Sequence, residues 1–437
     1  MNVTFCLPDG PTLGGVTTWT AEMCRQLAAE NRPVSLIEHI TYNPKLPLHL
    51  PSTVNKIDCA DGQHADSPFI KDSDVSVWSG RYQSQRPSTI VPNWSIGTYA
   101  ACAQITMSDP DSLRIIGYAH TDENLYYDWL TYYEPIISCF VCVSDEIATK
   151  LIMKLPHRAA DIVIKPYAVQ VTTQLDREYS KQPEPLKLIY AGRISQRQKR
   201  IFDLIPLIEE LVHKQVDFQL QVIGNGDEYE PFAKRLSALS DEAQQRVTLE
   251  PGLLPNQMAD TWRAADLFLS VSEYEGTSIA MLEAMAQGCV PVVTQVSGTK
   301  AVITDGENGF AVRQGDMVKM GAIIQQLATD RERVAKVGTA AHQTILNRYR
   351  YEDYIEWFLK TADSLWQQPS RAWPAIKPII PPKLSAIKRA DLSGALSGDP
   401  AAVRILQHKL LHATRMAGPY YFMRDVAQRI VGQSPNG

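Results

Sequence analysis

Short apolar runs alternate with amphipathic stretches through roughly the first 170 residues. Val3–Leu7, Val34–His39, Val75–Trp78, Arg114–His120, Cys139–Ser144 and Ile162–Tyr167 concentrate β-branched, aromatic and aliphatic residues over strand length and predict strands. Thr18–Ala29, Glu123–Tyr133 and Asp145–Lys154 space their apolar residues as one face of a helix does. Strand–helix alternation predicts a mostly parallel, doubly wound sheet. The polar, proline-containing YSKQPEP, ending at Pro185, reads as a linker.

The pattern then restarts. LKLIYAG, FQLQVIG, VTLEPG, LFLSVS and PVVTQ predict five more strands, with helices at Ile201–His213, Tyr229–Leu239, Asn256–Ala264 and Ile279–Gln287 and again at Glu352–Trp366. Two such units imply a cleft, with ligands beyond the carboxyl ends of the strands. The predicted division is 1–182, 183–367 and a tail from 368 to 437. In the tail, PSRAWPAIKPIIPP reads as an extended strap, and Ala401–Ala413 and Tyr421–Val431 as helices.

Composition changes this picture mainly at the tail. The 437 residues are 44% hydrophobic and 21% charged, as in an ordinary globular chain, and the net charge of −5 argues against wholesale nucleic-acid binding. From Pro369 onward the charge is about +7, against about −12 for the rest. Such a tail suits an anionic membrane surface or partner, or equally a helical add-on packed on the acidic body. The opening residues lack a signal-peptide pattern, and no apolar run approaches the ~20 residues of a membrane helix, so a cytoplasmic protein, at most peripheral on a membrane, is expected. Seven scattered cysteines predict buried thiols; Cys139 and Cys142, at odd spacing in a strand, point to opposite faces.

Four stretches carry candidate chemistry. PDGPTLGGVTTW follows the first strand with glycines at 10, 14 and 15, off the dinucleotide-binding spacing. Gly14-Gly15 is either a plain turn or a place where backbone N–H groups approach a ligand. YAGRISQRQKRIFDL sets Arg193, Arg197, Lys199 and Arg200 beyond a strand end at Gly192, an anion site or a solvated turn. His120 ends a strand of the first half and is a catalytic, sugar-binding or structural histidine. In SEYEGTSIAMLEAMAQGCVP, Glu275 lies on a loop and Thr277 or Ser278 caps a helix. Glu283 falls inside that helix among apolar neighbours, so it needs donors: ligand hydroxyls or a structural cation. The DPD of SDPDS reads as a turn around Pro110, and no histidines stand at metal-ligand spacing.

Glu275 and Glu283 form an E-x7-E motif, joined by Gly192, Arg193 and Lys199 upstream and DGENGFAV downstream. In this combination the chain resembles the retaining glycosyltransferases of the group 1 family, family 4, over roughly residues 1–367. The resemblance implies the GT-B fold: two Rossmann-like α/β domains facing across a cleft, here with a helical C-terminal tail. It implies transfer of a sugar from a nucleotide-diphosphate sugar of the UDP, GDP or ADP type to a hydroxyl acceptor, a glycan, lipid or small molecule, with no metal or other cofactor. By the same resemblance Arg193 and Lys199 hold the diphosphate, Glu275 meets the transferred sugar, and Gly276, Thr277 and Ser278 offer backbone donors. Glu283 accepts the ribose hydroxyls, Gly14 and Gly15 approach the phosphate, Leu254 lies by the base, and His120 lines the reaction centre. Thr299-Lys300-Ala301 departs from the family's frequent glutamate. An epimerase or phosphorylase of the same fold, or a non-catalytic binding module, are the competing readings.

Overall fold

The computed structural model describes residues 1–7, 14–39, 50–59 and 70–381. The helices expected at Ala401–Ala413 and Tyr421–Val431, and Gly10, lie outside them.

The first half runs β1 (Asn2–Leu7), α1 (Gly15–Ala29), β2 (Val34–Glu38), β3 (Asn55–Asp58), α2 (Asp72–Gln83), β4 (Ser88–Val91) and α3 (Ile96–Ser108). It continues with β5 (Leu113–Ala119), α4 (Asn124–Tyr132), β6 (Ile137–Cys142), α5 (Asp145–Lys154) and β7 (Ile162–Ile164). The sheet is parallel, in the order β3-β2-β1-β4-β5-β6-β7. Helices cover both faces, so β5 and β6 are buried at every position and read as continuous apolar runs.

Val75–Trp78 is not a strand; it lies inside α2. Val75, Trp78, Ser79 and Tyr82 recur at helical spacing and bury one face, while the Asp74 carboxylate accepts from the Lys71 N–H at the first turn. That longer periodicity outweighs the β-preference of VSVW. Two strands escaped the reading: β3 is a polar, mostly exposed edge, and β4 is only four residues long. The hydrophobic α3 also escaped it, since ten of its residues are buried and no polar stripe marks a period. The DPD stretch is a single 3-10 turn after α3, with Asp109 paired to Arg86. All seven cysteines are buried and unbridged.

The second half runs β8 (Leu186–Ala191), α6 (Leu204–His213), β9 (Phe218–Ile223), α7 (Tyr229–Leu236), α8 (Asp241–Gln245), β10 (Val247–Glu250) and α9 (Pro255–Ala264). After these come β11 (Leu267–Ser270), α10 (Ile279–Ala286), β12 (Val290–Thr294), α11 (Ser297–Lys300) and β13 (Phe310–Val312). The helices α12 (Met317–Thr329), α13 (Arg331–Arg348) and α14 (Tyr351–Leu365) follow. Its parallel sheet has the order β10-β9-β8-β11-β12-β13. Strand order reverses direction at β1/β4 in one sheet and at β8/β11 in the other, and at such points ligand crevices open.

Two chain crossings join the halves side by side, with the Val169 N–H donating to the Tyr349 carbonyl at 2.9 Å. The linker is stapled to the second half through buried Asp266, which accepts from Ser180 N (3.0 Å), Ser180 Oγ (2.5 Å) and Lys187 N (2.9 Å). By contrast α14 packs back on the first half: Phe358 stacks on Phe5 at 5.9 Å and Tyr354 hydrogen-bonds Tyr118. The strap follows it there, where the Tyr132 and Tyr133 hydroxyls donate to the Pro378 and Ile379 carbonyls and Lys377 lies over the Tyr132 and Trp373 rings.

Candidate functional site

The carboxyl ends of β5 and β6 meet the loops that follow β11 and β12. Thr277 Oγ1 donates to the Val143 carbonyl at 2.5 Å. Gly276 lies so close to the His120 carbonyl that an added Cβ would sit 1.9 Å from that oxygen, so only glycine fits the seam. Further out, Glu123 accepts from Arg197 (3.1 Å) and the Tyr274 hydroxyl (2.8 Å), and Lys300 pairs with Glu146 at 2.6 Å. Beside them a cavity of ≈ 260 Å³ is lined by Asp122, Lys150, Tyr274, Ser297 and others. The first turns of α1 and α10 also converge, a Cβ at Gly15 falling 3.3 Å from Ile279, the first residue of α10. Among the described residues, nothing lies within 4 Å of where a Gly14 Cβ would be.

Arg197, Lys199 and Arg200 are each tied to a carboxylate. Lys199 Nζ is 2.5 Å from Glu275 Oε1, which also accepts from Ser272 Oγ at 2.7 Å. Glu275 is only 5% exposed, and its own carbonyl accepts from Ser297 Oγ at 2.5 Å. Arg200 turns away in the left-handed region (φ 48°) to pair with Asp203 and Glu273. Arg197 spans the cleft to Glu123. Arg193 is exposed, close enough to the Tyr190 and Tyr274 phenols to oppose their raised pKa values. The loop carrying these residues rests on Gly224 and Gly226: a Cβ there would lie 1.9 Å from the Gly192 oxygen and 2.1 Å from the Ile194 oxygen. This GNG pair matches none of the motifs above, and its place at the end of FQLQVI is the local signal of it.

Ser278 caps α10, its Oγ accepting from Met281 N at 3.3 Å. In the helix Met281, Leu282, Ala284 and Met285 are buried and Glu283 is partly so. Burial pushes its carboxyl up to about 7, with the Trp262 indole opposing the shift. Among the described residues no Arg, Lys or His pairs with Glu283, so a structural cation is not what holds it. Leu254 precedes α9, its N–H donating to Gln257 Oε1.

His120 is built differently. It is buried, and both ring nitrogens are engaged: Nδ1 with the Tyr167 hydroxyl at 2.5 Å and Nε2 with Asn93 Oδ1 at 3.1 Å. Burial pulls its pKa down to about 3. The structure thus brings Gly276 and Thr277 to the seam with the first half, sets Ser278 as the α10 cap beside them, and brings Lys199 to Glu275. It keeps the His120 ring inside the first half.

Residues 171–344 match the family model of glycosyl transferases group 1. N-acetyl-alpha-D-glucosaminyl L-malate synthase of Bacillus anthracis is 30% identical over 183 residues, 42% of this chain and 46% of that protein. The chain therefore spans about half the length of this curated relative. A mutant of S. aureus TarM in complex with Fondaparinux, alpha-GlcNAc-glycerol and UDP superposes with a TM-score of 0.68 at 12% identity, over 84% of this chain and 100% of that one. Anabaena Alr3699/HepE in complex with UDP gives 0.64 at 16% identity, over 83% and 100%. These structural likenesses show the fold: a two-domain α/β GT-B architecture.

Proposed function

We propose that the chain is a retaining, metal-independent glycosyltransferase moving a hexosyl group from a nucleotide-diphosphate sugar to a hydroxyl acceptor. The observation that carries this reading is the meeting of the α1 and α10 N-termini at Gly15 and Ile279, one loop away from the Lys199–Glu275 pair. Two helix starts and fixed cations suit a diphosphate, because their positive ends are already oriented when charge develops. As the anomeric C–O bond breaks, its electron pair passes to the phosphate oxygen beside Lys199 and Arg193. The acceptor oxygen bonds to the anomeric carbon on the same face, and its proton goes to the departing phosphate. Glu275 orients the sugar, and Glu283, which no Arg, Lys or His among the described residues pairs with, accepts the ribose hydroxyls. Residues 252–254 meet the base.

UDP-sugars come first in the test, since two of the neighbouring structures hold UDP. A thermal-shift screen of UDP-, GDP- and ADP-sugars, followed by NMR of the product anomer with and without EDTA, tests each part. The enzyme reading is lost if no nucleotide sugar stabilises, is hydrolysed or is transferred. An inverted product or loss of turnover in EDTA removes the corresponding clause. The basic chain beyond Pro381 is proposed to bring the protein to an anionic surface, and equal liposome pelleting with and without it would remove that clause.

A further inference from the structure

At the cleft end of the first sheet, one side chain ties several elements together. Asn93, just after β4, is buried and adopts φ 53°, a left-handed conformation that asparagine tolerates better than most residues. Its Nδ2 donates to the Cys6 carbonyl at 2.6 Å on β1 and to Thr20 Oγ1 at 3.2 Å on α1. A carbonyl can only accept, so the amide orientation is settled and Oδ1 faces His120 as an acceptor. His120 Nε2 must then carry the hydrogen. Its Nδ1 is left as the acceptor, and the Tyr167 hydroxyl donates to it. The ring lies parallel to Tyr118 and Tyr167 (centroids 5.2 and 5.9 Å, interplanar 11° and 6°), with Tyr167 meeting it edge to edge through its hydroxyl, and Trp19 and Trp94 stand across it at steep angles. Meanwhile the His120 carbonyl is the surface on which Gly276 closes.

We propose that Asn93 and Tyr167 are positioning residues. They lock His120 as its neutral Nε2–H tautomer, so that His120 serves the transfer by seating the Gly276–Ser278 turn, and not by taking up the acceptor's proton. The inference rests on the transferase reading for its kinetic consequence alone; the tautomer and its two partners do not depend on it. Tyr167 is suited to the task because burial, Tyr354 and the nearby Glu275 charge keep its phenol protonated and donating.

Two measurements on the full chain test it. Long-range proton–nitrogen NMR with labelled histidine, assigned by loss of one signal in His120→Gln, is expected to show a protonated Nε2 and an unprotonated Nδ1, unchanged between about pH 5.5 and 8.5. A ring that titrates in that window, or carries its hydrogen on Nδ1, overturns the proposal. In Tyr167→Phe, kcat is expected to fall about five- to tenfold from misplacement of the turn, with donor KM within about twofold. Removing a donor from Nδ1 raises the ring's basicity, so an acid limb of kcat that shifts upward in this variant identifies His120 as the proton acceptor and overturns the proposal. An unmoved limb supports it. If no donor supports turnover, the NMR result still decides the tautomer, and the two failures remain separate.

Discussion

The two halves share a topology but meet the cleft with opposite electrostatics. The second half brings charge: Lys199 on Glu275, the exposed Arg193, and Glu283 with no counter-ion among the described residues. The inner wall of the first half is a sealed aromatic and hydrogen-bonded scaffold. His120 is wired to Asn93 and Tyr167, and His39 to Tyr82 and Thr98, and burial pulls both histidines down to about 3. A preorganised charged site gains from an inner wall of buried, hydrogen-bonded groups, and the first half's answering charges, Glu123 on Arg197 and Glu146 on Lys300, lie further out. The division also gives the halves opposite responses to acid.

Breaking the charged side should have the largest effect. Glu275→Ala removes the partner of Lys199 and the proposed sugar contact, and kcat is expected to fall by about 10³-fold while nucleotide still raises the melting temperature. Near-wild-type turnover would contradict the site.

Acid should next separate the halves. The folded values of His39 and His120 lie far below the unfolded ~6.5, so the unfolded chain takes up their protons first. Stability is full above ~6.5 and falls as pH drops toward 3, by on the order of 2 kcal/mol for each histidine at pH 5. Glu283 runs the other way. Its folded value, about 7, is above the unfolded one, so its burial cost is absent below ~4.5 and grows as pH rises to 7. Hydrogen exchange at pH 5 should therefore show earlier opening in the first sheet than in the second. Earlier opening of the second would refute the contrast.

Glu283→Gln sharpens it from the other direction. Relative to wild type, this variant should gain on the order of 1–2 kcal/mol in denaturant melts at pH 8 and almost nothing at pH 4.5. Nucleotide affinity should fall about five- to tenfold at pH 8, since the ribose loses a charged acceptor. In wild type the affinity should weaken as pH drops below about 7; a flat profile would detach Glu283 from the ligand.

The smallest effect is expected at the rim. Glu123→Gln loses the Arg197 pair across the cleft, an exposed interaction worth less than ~1 kcal/mol, so kcat/KM should change less than about threefold and the difference should vanish in high salt. A larger, salt-insensitive loss would assign Glu123 to the chemistry.

Much of the architecture could be read before any coordinates. The renewed alternation after Pro185 predicted every strand of the second sheet except β13: β8, β11 and β12 are largely buried apolar runs, while β9 and β10 mix apolar with polar positions. The first sheet was less legible: β3 and β4 are too short or too polar to stand out, and VSVW belongs to a helix whose pattern needs residues from 72 to 83 to appear. Within the candidate site, Glu283 was marked by the cost of burying a carboxylate and the cation cluster by its place beyond a strand end, while Glu275 and Gly276 entered through the family resemblance. Gly224 and Gly226 were not marked, since their necessity comes from a loop some thirty residues earlier in the chain.

By itself, then, the sequence determined the repeat of two α/β units, the loop-and-helix setting of Glu275 and Glu283, and the concentration of cations after β8. These rest on local period and turn chemistry. Only the tertiary structure decided which charges pair: Lys199 with Glu275, Arg197 with Glu123, Arg200 with Asp203 and Glu273, and Glu283 with no cation among the described residues. It also decided that the His120 ring is locked inward while its carbonyl carries the seam. Partner choice and side-chain direction depend on residues distant in the chain, and no local pattern encodes the distance between them.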